Sequence, residues 1–140
     1  TFKSEAAQIR SKLPAGIRYA FSSPSKRCTV LAEFLQLQYC IDPRIREMDF
    51  GQWEGRLWDQ IEPSEMDCWA ADVADYRIPG GDTFREVVCR VNAFLESLPK
   101  EEVILVTHAG VIKALRALRG GLDIYEAAIS PTDFGDYLKI

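Results

Sequence analysis

Histidine is scarce in this sequence, which contains one such residue, His108, among its 140 residues. The four cysteines are widely spaced, form no Cys-x-x-Cys pair and do not cluster with the histidine. They are Cys28, Cys40, Cys68 and Cys89. A zinc site built from clustered Cys and His ligands is therefore disfavoured, and reduced thiols in a cytoplasmic protein are the simplest interpretation.

Long apolar runs and basic blocks are also missing. No apolar stretch is long enough to cross a membrane, and no basic-then-apolar leader resembles a signal peptide, so we expect no membrane partner. The net charge of -4, without a basic cluster, argues against a nucleic-acid partner. What is present is 47% apolar residues in a chain of common single-domain length. This combination predicts one domain, 1–140, with one core.

The segment 101–112 carries the single histidine. A short apolar run rich in β-branched residues leads into a polar turn at His108, and apolar residues then recur at helical spacing. The pattern predicts a buried strand, a tight turn and a helix. Ligands of open α/β sheets bind beyond the carboxyl ends of the strands, and a helix N-terminus favours an anion. His108 is therefore a candidate for phosphate or carboxylate chemistry, with a purely structural role as the alternative.

A second strand, turn and helix are predicted around Arg27. Residues 17–22 are the strand, Ser23 is a suitable N-cap, and Pro24 suits the first helical position. Arg27 would lie on the first helical turn, where a cation opposes the helix dipole. A bound anion in front of the guanidinium explains it better, although a solvated arginine is the alternative.

The loop 45–55 alternates charged and large apolar residues and contains two glycines. Such a loop is too apolar for the surface and too charged for the core, so Glu47 and Glu54 are candidates for a cleft. Partial burial there would raise a carboxyl pKa toward general-acid use. The alternative is simple ion pairing with neighbouring arginines, namely Arg44, Arg46 or Arg56.

The remaining elements complete an α/β pattern. We predict a first helix over 2–13, a strand over 39–42, a helical cap over 57–76 and a last strand over 136–140. Thr83 and Glu86 fit a capping box at the start of the most amphipathic helix. Trp58 and Trp69 are better explained by packing than by cofactor contacts, although they could roof a pocket. The predicted fold is an α/β three-layer α/β/α sandwich with a mostly parallel sheet.

Four blocks in register resemble one known family. They are 22–28 (SSPSKRC), 46–55 (REMDFGQWEG), 79–84 (PGGDTF) and 106–111 (VTHAGV). Together they resemble the histidine phosphatase superfamily, whose members have the phosphoglycerate mutase-like fold. The short segment between Gly55 and Pro79 is similar to that of the small phosphatase branch. Within that branch the sequence most resembles α-ribazole-5′-phosphate phosphatases, and the first helix and the ending 130–140 contribute to this resemblance.

The resemblance implies roles for three residues. Arg27 matches the phosphate-binding arginine, Glu47 the proton donor to the leaving oxygen, and His108 the histidine that contacts the phosphoryl group. In the family, another histidine in an Arg-His-Gly strand attacks phosphorus, and no metal or other cofactor takes part. That strand is absent from these 140 residues. We therefore expect a leading strand before Thr1, and an inactive protein if there is none.

The function implied by the resemblance is that of a metal-independent phosphomonoesterase acting through a phosphohistidine. The favoured substrate is α-ribazole 5′-phosphate in cobalamin biosynthesis, and the alternatives are a sugar phosphate or phosphoglycerate. A nucleophile-free pseudophosphatase that binds a phosphorylated ligand or a protein partner also remains open, as does a homodimer. A flavodoxin-like binding module is disfavoured because no Gly-rich phosphate loop follows a predicted strand. Three aromatic residues are candidates for selecting the substrate: Trp53, Trp58 and Trp69.

Overall fold

The sheet of the protein is parallel. The computed structural model describes residues 2–133, so the strand predicted at 136–140 lies outside the described residues. Within them, the sheet has the order β2-β1-β3, and both pairings are parallel. Its strands are β1 (Tyr19–Ser22), β2 (Tyr39–Ile41) and β3 (Val103–Val106).

Six α-helices surround this sheet in the described part of the chain. They are α1 (Phe2–Lys12), α2 (Lys26–Phe34), α3 (Pro63–Ala71), α4 (Phe84–Glu96), α5 (Ala109–Arg119) and α6 (Ile124–Ile129). Within residues 2–133, no helix has the length and apolar character needed to cross a bilayer.

The sheet lies between two helical layers. Side chains of successive strand residues point to opposite faces. Leu105 packs with the buried residues of α4, α5 and α6, whereas Ile104 and Val106 pack with Cys28 and Ala32 of α2. The predicted three-layer α/β/α arrangement is therefore confirmed.

The largest apolar cluster is organised by α4. Thr83 caps this helix through its hydroxyl, which accepts from the Glu86 N–H, while the Glu86 carboxylate accepts from the Thr83 N–H, as the predicted capping box requires. Val87, Val91 and Phe94 are fully buried along one face. This face fixes α4 against α5, the helix that follows His108.

Two helix predictions were wrong in their bounds. The N-cap of α2 is Ser25 rather than Ser23, because the Ser23 hydroxyl is turned toward His108. The stretch predicted as one helix over 57–76 contains a 3₁₀ turn at Trp58–Gln60, and α3 begins only at Pro63. A residue before proline favours extended backbone. Glu62 is therefore not helical, and one continuous helix cannot pass from the 3₁₀ turn into α3.

Candidate active site

The candidate site lies where β1 and β3 end side by side. Ser22 pairs with Val106 in the parallel register, and the Ser23 N–H donates to the Val106 carbonyl at 2.9 Å. The residues that follow these strand ends, Ser23 and His108, therefore meet at the carboxyl edge of the sheet. This is the edge at which the sequence predicts ligand chemistry.

His108 is buried and bonded through both ring nitrogens. Its Nε2 lies 2.8 Å from the Ser23 Oγ, and its Nδ1 lies 2.9 Å from the Arg27 Nη2. A guanidinium can only donate, so Nδ1 is the acceptor and Nε2 carries the proton that is donated to Ser23. Burial, followed by the charges of Arg27 and Arg90, lowers the pKa of His108 to about 4. The imidazole is therefore neutral near pH 7.

Arg27 lies in the first turn of α2 and contacts His108 from there. Arg27 as a whole remains exposed to solvent. Next to it, the thiol of Cys28 lies 3.5 Å from Nε2 of His108. Burial raises the pKa of this thiol, so Cys28 is neutral and packs as a small apolar residue. The charged group in hydrogen-bond contact with the histidine ring is thus Arg27.

Glu47 approaches from the loop that follows β2. Its Oε1 accepts from the Met48 N–H at 2.9 Å and from the Gly110 N–H at 3.1 Å. Burial raises the pKa of Glu47, and these two hydrogen bonds and the charges of Arg27 and Arg90 only partly oppose the shift. The carboxyl group is therefore poised to hold a proton more readily than an exposed glutamate. One free N–H at the N-terminus of α5, that of Gly110, is therefore already paired with Glu47.

The Glu47 loop is also tied to β3. Thr107, the residue before His108, donates through its hydroxyl to the Ile45 carbonyl at 2.7 Å. Two of the three arginines that could have paired with Glu47 have other partners, since Arg44 forms an ion pair with Asp42 and Arg46 donates to the Pro43 carbonyl. Glu54, the other candidate carboxylate, accepts from the Phe50 N–H within its own loop.

The structure thus brings Arg27, Glu47 and His108 into one cluster at the sheet edge. Sequence reasoning missed two further members. Ser23 was interpreted as a helix cap, although a hydroxyl directly after a strand is equally suited to face the sheet edge. Gly110 lies in the first turn of α5, where a glycine is unfavourable for the helix and so signals a close approach. A Cβ at Gly110 would lie 2.4 Å from the Glu47 Oε1.

An aromatic cavity lies along the same loop as Glu47. It has a volume of about 240 Å³. Its lining includes Phe50, Trp53, Trp58, Ile61, Glu54 and Arg56. Trp53 is buried and stacks on Tyr76, whereas Trp58 is 62% exposed and touches Trp69. Two of the three tryptophans singled out in the sequence therefore line one cavity, and the third supports it.

Among residues 2–133, no group of three or more His, Cys, Asp or Glu side chains is placed to hold a metal ion. Residues 3–132 match the family model of the histidine phosphatase superfamily (branch 1). The chain belongs to this superfamily, as the four sequence blocks indicated.

Individual relatives agree with this assignment. The chain is 27% identical to a "Putative phosphoserine phosphatase 2" of Hydrogenobacter thermophilus, over 82% of this chain and 62% of the relative. It is 31% identical to a "Probable phosphoglycerate mutase GpmB" of Cronobacter sakazakii, over 86% of this chain and 62% of the relative. The crystal structure of phosphoglycerate mutase from Thermus thermophilus superposes with a TM-score of 0.70 at 34% identity, covering 84% of this chain and 67% of that one. The match spans about three fifths of either curated relative.

Proposed function

We propose that this chain forms the larger part of a metal-independent phosphomonoesterase. The observation that supports it most is the cluster in which Arg27 touches His108 while Glu47 lies over the first turn of the helix that follows. A phosphoryl group in transfer spreads negative charge over its oxygens, and arginine and imidazole donors stabilise that charge. A poor alkoxide leaving group needs a proton, which a carboxyl with a raised pKa supplies.

The proposed reaction proceeds in two displacements. A histidine nitrogen attacks phosphorus, the ester P–O bond breaks, and the leaving oxygen takes the proton of Glu47. Water then attacks phosphorus and loses a proton to the Glu47 carboxylate, while the P–N bond breaks, so that inorganic phosphate leaves and the free histidine is restored. The 140 residues contain one histidine, which is held by Arg27 and Ser23, so the proposal assigns the nucleophile to a preceding segment. Within the described residues β3 pairs on one side with β1, and its other edge is suited to a further strand.

The proposed substrate is α-ribazole 5′-phosphate, which would place the protein in cobalamin biosynthesis. Support comes from the resemblance of the sequence to α-ribazole-5′-phosphate phosphatases and from the aromatic cavity near Glu47, whose tryptophans suit a flat heteroaromatic ring. Phe50 lines the cavity three residues after Glu47, so the two lie within about 11 Å by chain reach. A ribosyl linker could span such a separation.

Two other functions compete with this one. The names of the relatives favour small substrates without an aromatic ring, namely phosphoserine and phosphoglycerate. The single histidine favours a pseudophosphatase that binds a phosphorylated ligand or protein partner without turnover. We also propose a cytoplasmic location, which the four free cysteines support. A measurement of the native mass in solution decides between a monomer and a homodimer.

The test is a phosphate-release assay with the full-length protein in the presence of a chelator, accompanied by its intact mass. We expect turnover of α-ribazole 5′-phosphate with a higher kcat/KM than for phosphoserine or 3-phosphoglycerate. Preference for either of the smaller esters would retain the phosphatase and reject the substrate. Binding of inorganic phosphate without turnover of any ester would instead identify the pseudophosphatase.

A further inference from the structure

Arg90 is an unusual residue in α4, because it lies among the buried valines of that helix with only 14% of its side chain exposed. Its guanidinium contacts the loop that carries Glu47. Nη1 donates to the carbonyls of Arg44 and Arg46, both at 2.7 Å, and Nη2 donates to the carbonyl of Glu47 at 3.1 Å. One side chain therefore holds three backbone acceptors over four consecutive residues.

The loop is held on the other side of Glu47 by Asp82. Its carboxylate accepts from the Asp49 N–H at 3.0 Å, and its own N–H donates to the Asp49 carbonyl at 2.8 Å. The same carboxylate lies 4.0 Å from Arg90 Nη2. Gly81 permits this contact, because a Cβ there would lie 2.3 Å from the Asp49 carbonyl oxygen. The backbone before and after Glu47 is thus fixed to α4 and to the loop that precedes it.

Burial of the Arg90 guanidinium costs desolvation free energy, so its position needs an explanation beyond packing. Burial and the neighbouring charge of Arg46 lower the pKa of Arg90, because a desolvated guanidinium loses its hydration. Its acceptors are backbone carbonyls of the Glu47 loop, and the nearest carboxylate is only at the edge of ion-pair distance. The planar fork of arginine matches several carbonyls at once, which a lysine ammonium cannot do with the same geometry.

We propose that Arg90, together with Asp82, is a positioning residue that holds the Glu47 carboxyl over Gly110. Arg90 restricts the backbone of residues 44–47 to one conformation. In that conformation the Glu47 side chain reaches the Gly110 N–H. The inference rests on the proposed function, in which Glu47 protonates the leaving oxygen. Misplacement of a catalytic group by about 1 Å costs up to a hundredfold in rate.

The first test compares leaving groups in Arg90→Met. We expect kcat/KM, which reports the phosphorylation step, to fall by about 10- to 100-fold on an alkyl phosphate. On 2,4-dinitrophenyl phosphate, which needs no proton, kcat/KM should change by less than about threefold. In a Glu47→Gln background, Arg90→Met should cost little more. The matched control is Arg85→Met, which removes an exposed arginine of the same helix that pairs with Asp75. Equal losses on both esters, or an undiminished loss in the Glu47→Gln background, would overturn the inference.

A second readout does not depend on turnover. The Gly110 amide proton bonds to Glu47, so its chemical shift should titrate with that carboxyl in the wild-type protein and not in Glu47→Gln. We expect Arg90→Met to lose this titration and Arg85→Met to keep it, whereas full retention in Arg90→Met would contradict the positioning role. If no ester is hydrolysed, the proposed function fails and this titration alone decides the inference. Should Arg90→Met not fold, Arg90→Lys keeps charge and stem without the planar fork and takes its place.

Discussion

The Glu47 carboxylate and the Gly110 backbone form a contact that only glycine allows. The Gly110 N–H donates to the Glu47 Oε1 at 3.1 Å, and a Cβ on Gly110 would lie 2.4 Å from the same oxygen. The amide belongs to the first turn of α5, directly after His108. One short helical turn therefore sets the position of the histidine and of the carboxyl group relative to each other.

Gly110→Ala should separate activity from stability. Alanine is favoured over glycine in a helix by about 0.5–1 kcal/mol, and the group it displaces is the end of a flexible side chain. We expect the free energy of unfolding to change by less than about 1 kcal/mol and the turnover of alkyl phosphates to fall by about tenfold or more. Urea unfolding and steady-state kinetics measure the two effects. The same substitution in Glu47→Gln should cause no further loss of turnover, and an additive loss would show that Gly110 acts elsewhere.

Glu47→Gln should reveal the proton donor through the leaving group. The amide keeps the shape of the side chain but has no proton to give, so hydrolysis of alkyl phosphates should slow by about 10²- to 10⁴-fold. Aryl phosphates with acidic phenols should be nearly unaffected. The slope of log kcat/KM against leaving-group pKa measures this difference, because kcat/KM reports only the phosphorylation step. If both classes slow equally, Glu47 is not the general acid.

Arg27→Ala should weaken the binding of inorganic phosphate. A guanidinium hydrogen bond to a charged oxygen contributes about 1.5–3 kcal/mol, which corresponds to about a 10- to 100-fold loss of affinity. Competitive inhibition by phosphate, or calorimetry, provides the measurement. Lys26→Ala removes the neighbouring cation of the same helical turn and is the control for a general charge effect. Unchanged phosphate affinity in Arg27→Ala would remove Arg27 from the site.

Trp58→Ala tests whether the aromatic cavity selects the substrate. Stacking of a base on an aromatic side chain contributes about 1–3 kcal/mol, so kcat/KM for α-ribazole 5′-phosphate should fall by about tenfold. Phosphoserine, which has no ring, should be turned over as before. Leu57→Ala is a suitable control, since Leu57 is 66% exposed and lies beside Trp58 in the chain. Parallel losses for both esters would argue against a ring-binding cavity.

Much of this fold could be predicted because local signals and packing agree. The capping box at Thr83 and the apolar stripe that follows it specify α4 without tertiary information. The β-branched run before His108 likewise specifies a strand and places the histidine after its end, although only Val106 of the four strand residues is buried. The helix predicted over 57–76 was wrong in extent because apolar spacing was given more weight than Pro63.

The candidate site was predicted only in part, and the reason is physical. Residues with a charged or titratable side chain at a strand end or in the first turn of a helix, such as Arg27 and His108, are easy to identify in the sequence. Residues that act through backbone contacts are not, because Arg90 resembles any arginine on a helix until its acceptors are known. The hydroxyl of Ser23 could equally cap a helix or bond to a ring, and only the neighbouring strand decides between them.

His108 should make stability depend on pH in a defined direction. Burial, then the charges of Arg27 and Arg90, lower its pKa from 6.5 to about 4, so the unfolded chain binds its proton more tightly than the fold does. The free energy of unfolding should therefore rise with pH across this window, and fall as the solution is acidified from pH 6.5 toward 4. The full effect is roughly 3 kcal/mol, because one pKa unit corresponds to about 1.4 kcal/mol.

His108→Gln isolates this contribution, since glutamine does not titrate yet can bond to Ser23 and Arg27. The raised pKa of Glu47 acts in the opposite direction, because its charged form is penalised in the fold and its contribution falls as pH rises. Glu47 is present in both proteins, so its effect cancels in the difference between their urea unfolding curves at about pH 4.5 and about pH 7. We expect the wild-type protein to gain more stability than His108→Gln between these values. The same gain in both proteins would mean that His108 titrates with its ordinary pKa of 6.5 and is charged below that pH, where the proposed shift keeps Nδ1 a neutral acceptor.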